Sequence, residues 1–213
     1  MATYNLEEQE KIDGLKSWWD SYGASIVIVA SVLIATIAGT QAWKYYHTQQ
    51  AEQAADLYGL LQQVQLTEDA RKIDDAAHLL MAGFPSSGYA SRAAMIAARA
   101  SVAADDIKRA KEQLQWVIDH TEEYELKDLA RLRLAGLLLD EKKYNEAAHL
   151  LEADHGTSFS GLYADRKGDV LSAAGKLAEA RRAYQIAIDR LNKNNTYHSI
   201  VQMKLDALGE EAK

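Results

Sequence analysis

Asp128-Leu129-Ala130-Arg131-Leu132-Arg133-Leu134-Ala135-Gly136-Leu137-Leu138-Leu139-Asp140 runs into Glu141-Lys142-Lys143 and then into Tyr144-Asn145-Glu146-Ala147-Ala148-His149-Leu150-Leu151-Glu152. Apolar residues on either side of the short charged break recur at the spacing of a helix face, so the stretch predicts two helices joined by a tight turn. Leu134 to Leu139 belong to the first helix, Tyr144 follows the turn, and Ala147 and Leu151 begin the packed face of the second. Small residues such as Ala135 and Ala147 let the two axes approach closely. A large side chain such as Tyr144 fills the space towards the next pair.

The same arrangement returns downstream, with Gly168, Leu171, Gly175 at the turn, Leu177, Ala180, Tyr184 and Ala187. Ala147 and Ala180 are 33 residues apart, close to the period of about 34 residues that marks tetratricopeptide repeats. A more degenerate copy lies upstream, with Ala94, Ala98, Ile107, Ala110, Leu114 and Val117 in the equivalent roles. The 37 residues between Ala110 and Ala147 imply a small insertion around His120 to Glu125. A fainter copy has Ala77, Met81 and Phe84, with Pro85 ending the helix, and Ala77 precedes Ala110 by 33 residues. Val201 to Leu208 reads as a closing helix with a polar outer face. An irregular helical bundle is the competing reading for the two upstream copies.

Composition agrees with helices throughout. Of 213 residues, 48% are apolar and 26% charged, with a single proline and two phenylalanines, which disfavours an all-β design. The net charge of -7 and basic runs no longer than pairs such as Arg181-Arg182 argue against nucleic acid as a partner. There is no cysteine, which excludes disulfides, thiolate metal sites and a cysteine nucleophile.

Ahead of the repeats, Ser21 to Trp43 contain no Asp, Glu, Lys or Arg, and Ile26 to Ala35 are almost continuously aliphatic. A helix of about 20 such residues spans the hydrocarbon core of a bilayer. Trp18, Trp19 and Tyr22 precede the run, and Trp43, Tyr45 and Tyr46 follow it, as an aromatic belt at each headgroup layer requires. The acidic leader, with Glu7, Glu8, Glu10, Asp13 and Asp20, disagrees with a cleaved signal peptide. Ser31, Ala35 and Gly39 form a small-residue stripe along which another membrane helix could pack. Lys11 and Lys16 on the N-terminal side against Lys44 on the other favour a cytoplasmic N-terminus. Asn5 to Tyr22 read as a short amphipathic helix at the membrane surface, with Asn5 as N-cap and Glu8 as its partner.

No constellation for catalysis emerges. The six histidines are scattered singly, without metal-ligand spacing. Gly156-Thr157-Ser158-Phe159-Ser160-Gly161 lacks the closing glycine and the preceding strand of a nucleophile elbow, and it reads as an inter-repeat loop. Gly175-Lys176 lacks the earlier glycine and the following Ser/Thr of a phosphate loop, since Val170 and Leu177 stand there. Adjacent carboxylates such as Asp74 and Asp75 diverge around a helix and cannot readily share a substrate. The expectation is a protein that is not an enzyme and carries no cofactor or metal.

The tail Glu7-Glu8-Gln9-Glu10 to Leu15-Lys16-Ser17-Trp18-Trp19, the span after it, and the motifs Leu162-Tyr163-Ala164-Asp165-Arg166-Lys167-Gly168-Asp169 and Ala180-Arg181-Arg182-Ala183-Tyr184 together resemble the YfgM-like family of ancillary SecYEG translocon subunits. The resemblance implies a bacterial inner-membrane protein with a periplasmic tetratricopeptide-like domain. It also implies as partners the SecYEG translocon, a membrane-anchored periplasmic prolyl isomerase-like chaperone and unfolded exported proteins. Ser101 departs from the family pattern, because a larger apolar residue is usual there.

The expected architecture is all-α: residues 1–22 a cytoplasmic tail, 23–43 a transmembrane helix, and 44–213 a tetratricopeptide-like solenoid. The expected function is a tethered adaptor whose repeat groove, including Arg131, Arg133, Asp165 and Lys167 on the first helices of the pairs, binds a chaperone or an emerging chain. A self-assembling scaffold using the Ser31, Ala35, Gly39 stripe is one alternative. A regulator whose acidic tail contacts a cytosolic signalling protein is another.

Overall fold

Between Leu6 and Gln65 there is no proline, and Gly14, Gly23, Gly39 and Gly59 stand singly, so nothing interrupts helix propagation. The computed structural model, which describes residues 6–192 and 196–209 with side chains from residue 10 onward, accordingly has one helix there, α1 (Leu6–Gln65). The expected tail, span and outward continuation share it, without a break at Tyr22 or Trp43. The expected Asn5 cap lies outside the described residues.

The helices that follow are α2 (Ala70–Gly83), α3 (Gly88–Ala103), α4 (Ile107–His120), α5 (Tyr124–Asp140), α6 (Tyr144–Leu150), α7 (Ser160–Ala173), α8 (Leu177–Arg190) and α9 (Thr196–Ala207). The loop expected at Gly156 to Gly161 is a single 3-10 turn, Thr157–Phe159, leading into α7. The chain divides into two compact units, Met1–Glu52 and Gln53–Lys213.

In the first unit the apolar side chains are exposed on every side of the helix: Val27, Ile28, Val29, Val32, Leu33, Ile34 and Ile37 are all more than half accessible. A soluble protein would hide one stripe, whereas a helix exposed and apolar all round suits lipid. This segment is long and apolar enough to cross a membrane. Its two threonine hydroxyls are satisfied within the helix: Thr36 Oγ1 donates to the Val32 carbonyl at 2.8 Å and Thr40 Oγ1 to that of Ile37 at 2.9 Å, so neither demands a partner. Tyr45 and Tyr46 accept hydrogen bonds from Gln49 and Gln50, which places their polar tips towards the C-terminal side of the apolar run.

The second unit is a series of antiparallel helix pairs. α3 with α4, α5 with α6 and α7 with α8 reverse at turns whose residues Asp105, Lys142 and Gly175 have φ of 61°, 60° and 76°. At each, an amide three residues past the helix end reaches back: Asp106 to the Ser101 carbonyl at 2.8 Å, Lys143 to Leu138 at 2.8 Å, Lys176 to Leu171 at 2.9 Å. A left-handed residue closing a helix with this long bond is the Schellman arrangement. The three turn residues are 37 and 33 residues apart, the same intervals as Ala110, Ala147 and Ala180, which are all fully buried. Glu68, at φ 56°, is likewise left-handed before α2, although there the following amide, Asp69, donates to Thr67 Oγ1 instead of reaching back to the helix. Counted from it, the counterpart of Ala110 is Ile73 rather than Ala77; the two lie one helical turn apart on the same buried face, so the period alone could not separate them.

Three apolar clusters fill this unit. Ala54 and Leu61 at the end of α1 pack with Ile73, Ala77, Leu80 and the alanines of α3. Leu114, Val117, Leu134, Ala135, Leu138, Ala147 and Tyr163 form the middle cluster. Leu171, Ala180, Tyr184, Ala187, Val201 and Leu205 form the last, with α9 closing the end as expected. Tyr144, half-buried, packs against the middle cluster.

Candidate partner-binding groove

Where first helices succeed one another, small residues leave space. Ala98, Arg99 and Val102 of α3, Leu114 of α4, Arg133, Gly136, Leu137 and Asp140 of α5 and Arg166 of α7 line an open hollow of about 330 Å³. Ala98 and Leu114 are its buried floor. Gly136 lies on one wall, where a Cβ would meet Cζ of Arg166 at 3.7 Å, an ordinary van der Waals contact, so that guanidinium passes over the helix surface at position 136. Arg99 also borders a second hollow of about 430 Å³, lined by Gln65, Glu68, Ile73 and Ile96.

Three guanidiniums face a single carboxylate, Asp140, in the first hollow. Arg166 Nη1 reaches Asp169 at 3.4 Å. Among the described residues, Arg99 and Arg133 form no ion pair. Arg133 is an exposed residue, and partial desolvation of its guanidinium against the groove wall, helped by its neighbour Arg99, holds it below the ordinary arginine range. The charge stays, because arginine does not deprotonate in proteins, and an arriving anion would relieve the repulsion.

The other residues named from sequence lie elsewhere. Arg131 pairs with Asp128 at 3.3 Å and donates to the Asp154 carbonyl at 2.9 Å. Asp128 is buried and takes further bonds from Tyr163 Oη at 3.1 Å and the Gly156 amide at 2.8 Å, so this cluster fastens the loop before α7. Asp165 is buried on α7, with Lys204 Nζ at 2.8 Å and Tyr197 Oη at 2.5 Å. Lys204 also meets Asp169 at 2.7 Å, so the pair of carboxylates fixes α9. Lys167 is exposed. Of the four, the structure places Arg133 alone in the lining of the hollow.

Arg99 and Arg166 were missed from sequence. Arg133 and Arg166 are 33 residues apart and each stands nine residues before its left-handed turn residue, so the alanine register extended to charged residues would have found the second. Arg99 stands six residues before Asp105, one turn out of register, and no periodic argument reaches it.

Ser101, the departure noted above, is buried and donates to Gln113 Oε1 at 3.0 Å. Gln113 in turn donates to Asp74, which Arg109 pairs. A polar chain thus replaces an apolar contact between α3 and α4 and ties both to α2.

In the first unit Ser31, Ala35 and Gly39 share one exposed face. Trp18, Trp19, Tyr22, Trp43 and Tyr45 are also exposed, with Trp18 and Tyr22 ring centroids 6.0 Å apart and the Trp19 indole folded over Gly23. Among the described residues no three His, Asp or Glu side chains come together as a metal site would need. The arrangement can hold a chain by charge and apolar contact; its buried carboxylates are already occupied by donors.

Residues 16–210 match the family model described as a tetratricopeptide repeat-like domain. Three curated relatives called "Ancillary SecYEG translocon subunit" are similar over nearly their whole length. The Neisseria gonorrhoeae protein is 29% identical over 208 residues, 96% of this chain and 98% of the relative. The Haemophilus influenzae protein is 25% identical over 209 residues, 96% and 99% of the two chains. The Escherichia coli protein is 22% identical over 202 residues, 94% and 96%.

Proposed function

From the premise that this chain belongs to the tetratricopeptide repeat-like domain family, we propose that it is a protein-binding adaptor of the bacterial inner membrane, working beside the Sec translocon. The observation that carries the reading is the end-to-end similarity to the ancillary translocon subunits, which takes in the apolar helix together with the repeats. The span anchors the protein, with residues 1–22 in the cytoplasm, 23–43 in lipid and 44–213 in the periplasm; the lysine bias supports this orientation. The groove of α3, α5 and α7 receives exported chains or a membrane-anchored chaperone of the prolyl isomerase type, and hands one towards the other. Its work is non-enzymatic: tethering raises the effective concentration of a weak binder at the channel exit.

Two experiments test this. A photo-crosslinking amino acid at Leu137 of the full-length protein in intact membranes should capture translocon components, the chaperone or an exported chain. Removing residues 23–43 should abolish co-purification with the Sec channel, and association that survives this deletion undiminished would defeat the tethering.

A further inference from the structure

We propose that the groove recognises an extended acidic stretch of polypeptide, with Arg99, Arg133 and Arg166 receiving its carboxylates and Val102 and Leu137 receiving the apolar side chains between them. The inference rests on the protein-binding reading above and adds the chemistry of the partner. Three guanidiniums against Asp140 in the lining and Asp169 on Arg166 still leave a local excess of positive charge in a chain whose net charge is -7. That excess is a property of this site and not of the surface as a whole.

Arg99 and Arg133 lack an ionic partner among the described residues, and the like charge of Arg99 beside the exposed, partly desolvated Arg133 is the cost that a carboxylate would offset. The repeat also sets a spacing. Arg133 and Arg166 occupy equivalent places on successive first helices, so a chain crossing those helices meets one guanidinium on each. Val102 is 41% exposed and Leu137 half-buried, so apolar contact alternates with charge. A compact inorganic anion would leave those apolar surfaces unused.

The test uses the full-length protein in detergent and a fluorescent synthetic peptide in which Glu alternates with small apolar residues, beside the same peptide with Gln for every Glu. The acidic peptide should bind at least about tenfold more tightly than its Gln counterpart, and should weaken as salt is raised. R99Q/R133Q should remove about tenfold of that affinity, while R99K/R133K, which keeps the charge, should retain most of it. Equal affinity for the two peptides, or unchanged binding in R99Q/R133Q, overturns the proposal. If a second copy of the chain fills the groove instead, R99Q/R133Q will shrink the detergent-solubilised particle and leave peptide affinity unmoved, which also overturns it. Co-purification of the wild-type protein with the Sec channel is read separately on the same membranes, so failure of the acidic-peptide assignment and failure of the translocon reading are told apart.

Discussion

The ring of Tyr184 on α8 lies directly over Gly168 on α7, so close that a Cβ at position 168 would overlap three of its ring carbons. The glycine is there because the helices meet through the tyrosine, whose Oη goes on to donate to Asp169 at 2.9 Å. Gly168→Ala should therefore lower stability by about 2 kcal/mol, an overpacking penalty taken up by moving the ring. Tyr184→Phe should cost about 1 kcal/mol, the net worth of one hydrogen bond. Chemical denaturation of the two variants checks the order, and equal midpoints for G168A and wild type would contradict the contact.

The Asp165 carboxylate, 1% exposed, holds Lys204 and Tyr197. Asp165→Ala should destabilise by about 3 kcal/mol, because it strands buried donors, although Lys204 keeps Asp169. The loss should be local to the C-terminal end. Limited proteolysis of D165A should release α9 before any cut appears in α3 to α6.

Tyr163, Tyr184 and Tyr197 are all pushed above the usual phenol range, first by burial and then by Asp128, Asp169 and Asp165 respectively. In the unfolded chain they ionise near pH about 10. Above that pH the unfolded state gives up protons that the folded state keeps, so stability is fully present below pH about 10 and falls as pH rises towards the folded values. The slope of stability against pH above 10 should be shallower in Y163F, Y184F and Y197F. Tyrosinate absorbance should rise together with loss of helix, not before it.

Ser101 and Gln113 satisfy one another. Gln113→Ala leaves Ser101 Oγ unpaired and removes a donor from Asp74, so it should cost about 2 kcal/mol. Ser101→Ala on the wild-type background should cost less, about 1 kcal/mol, and a double-mutant cycle should show clear coupling. Additive effects would mean that the pair does not act as a unit.

Charges placed in the apolar run test the span. Each arginine near the centre of a membrane helix costs about 2.5 to 3.5 kcal/mol on insertion scales. Val29→Arg with Leu33→Arg should move the protein from the alkali-resistant membrane fraction to the extractable one, whereas Lys11→Gln should not.

Much of the fold was legible because it rests on local chemistry. The intervals of Ala110, Ala147 and Ala180 match those of the left-handed residues Asp105, Lys142 and Gly175, since close packing and turn geometry repeat together. Ala77 slipped by one turn because α2 is buried at both Ile73 and Ala77, and an apolar period gives no phase where two successive turns are covered. The site was less legible. Arg133 is legible as a basic residue on a first helix, but Asp165 on α7 is equally eligible by position, and Lys204, 39 residues away on α9, claims it. Long-range pairing of that kind leaves no periodic trace.

The apolar interior of the second unit is three clusters, with Trp116 packed against the first two. A core parcelled in this way ties each pair of helices chiefly to its neighbours, so the protein can loosen from one end while the rest keeps its form. Amide exchange should proceed in bands, fastest around α9 and slowest beside Trp116. A load applied to the last helices would then meet a surface that yields by stages and re-forms when released.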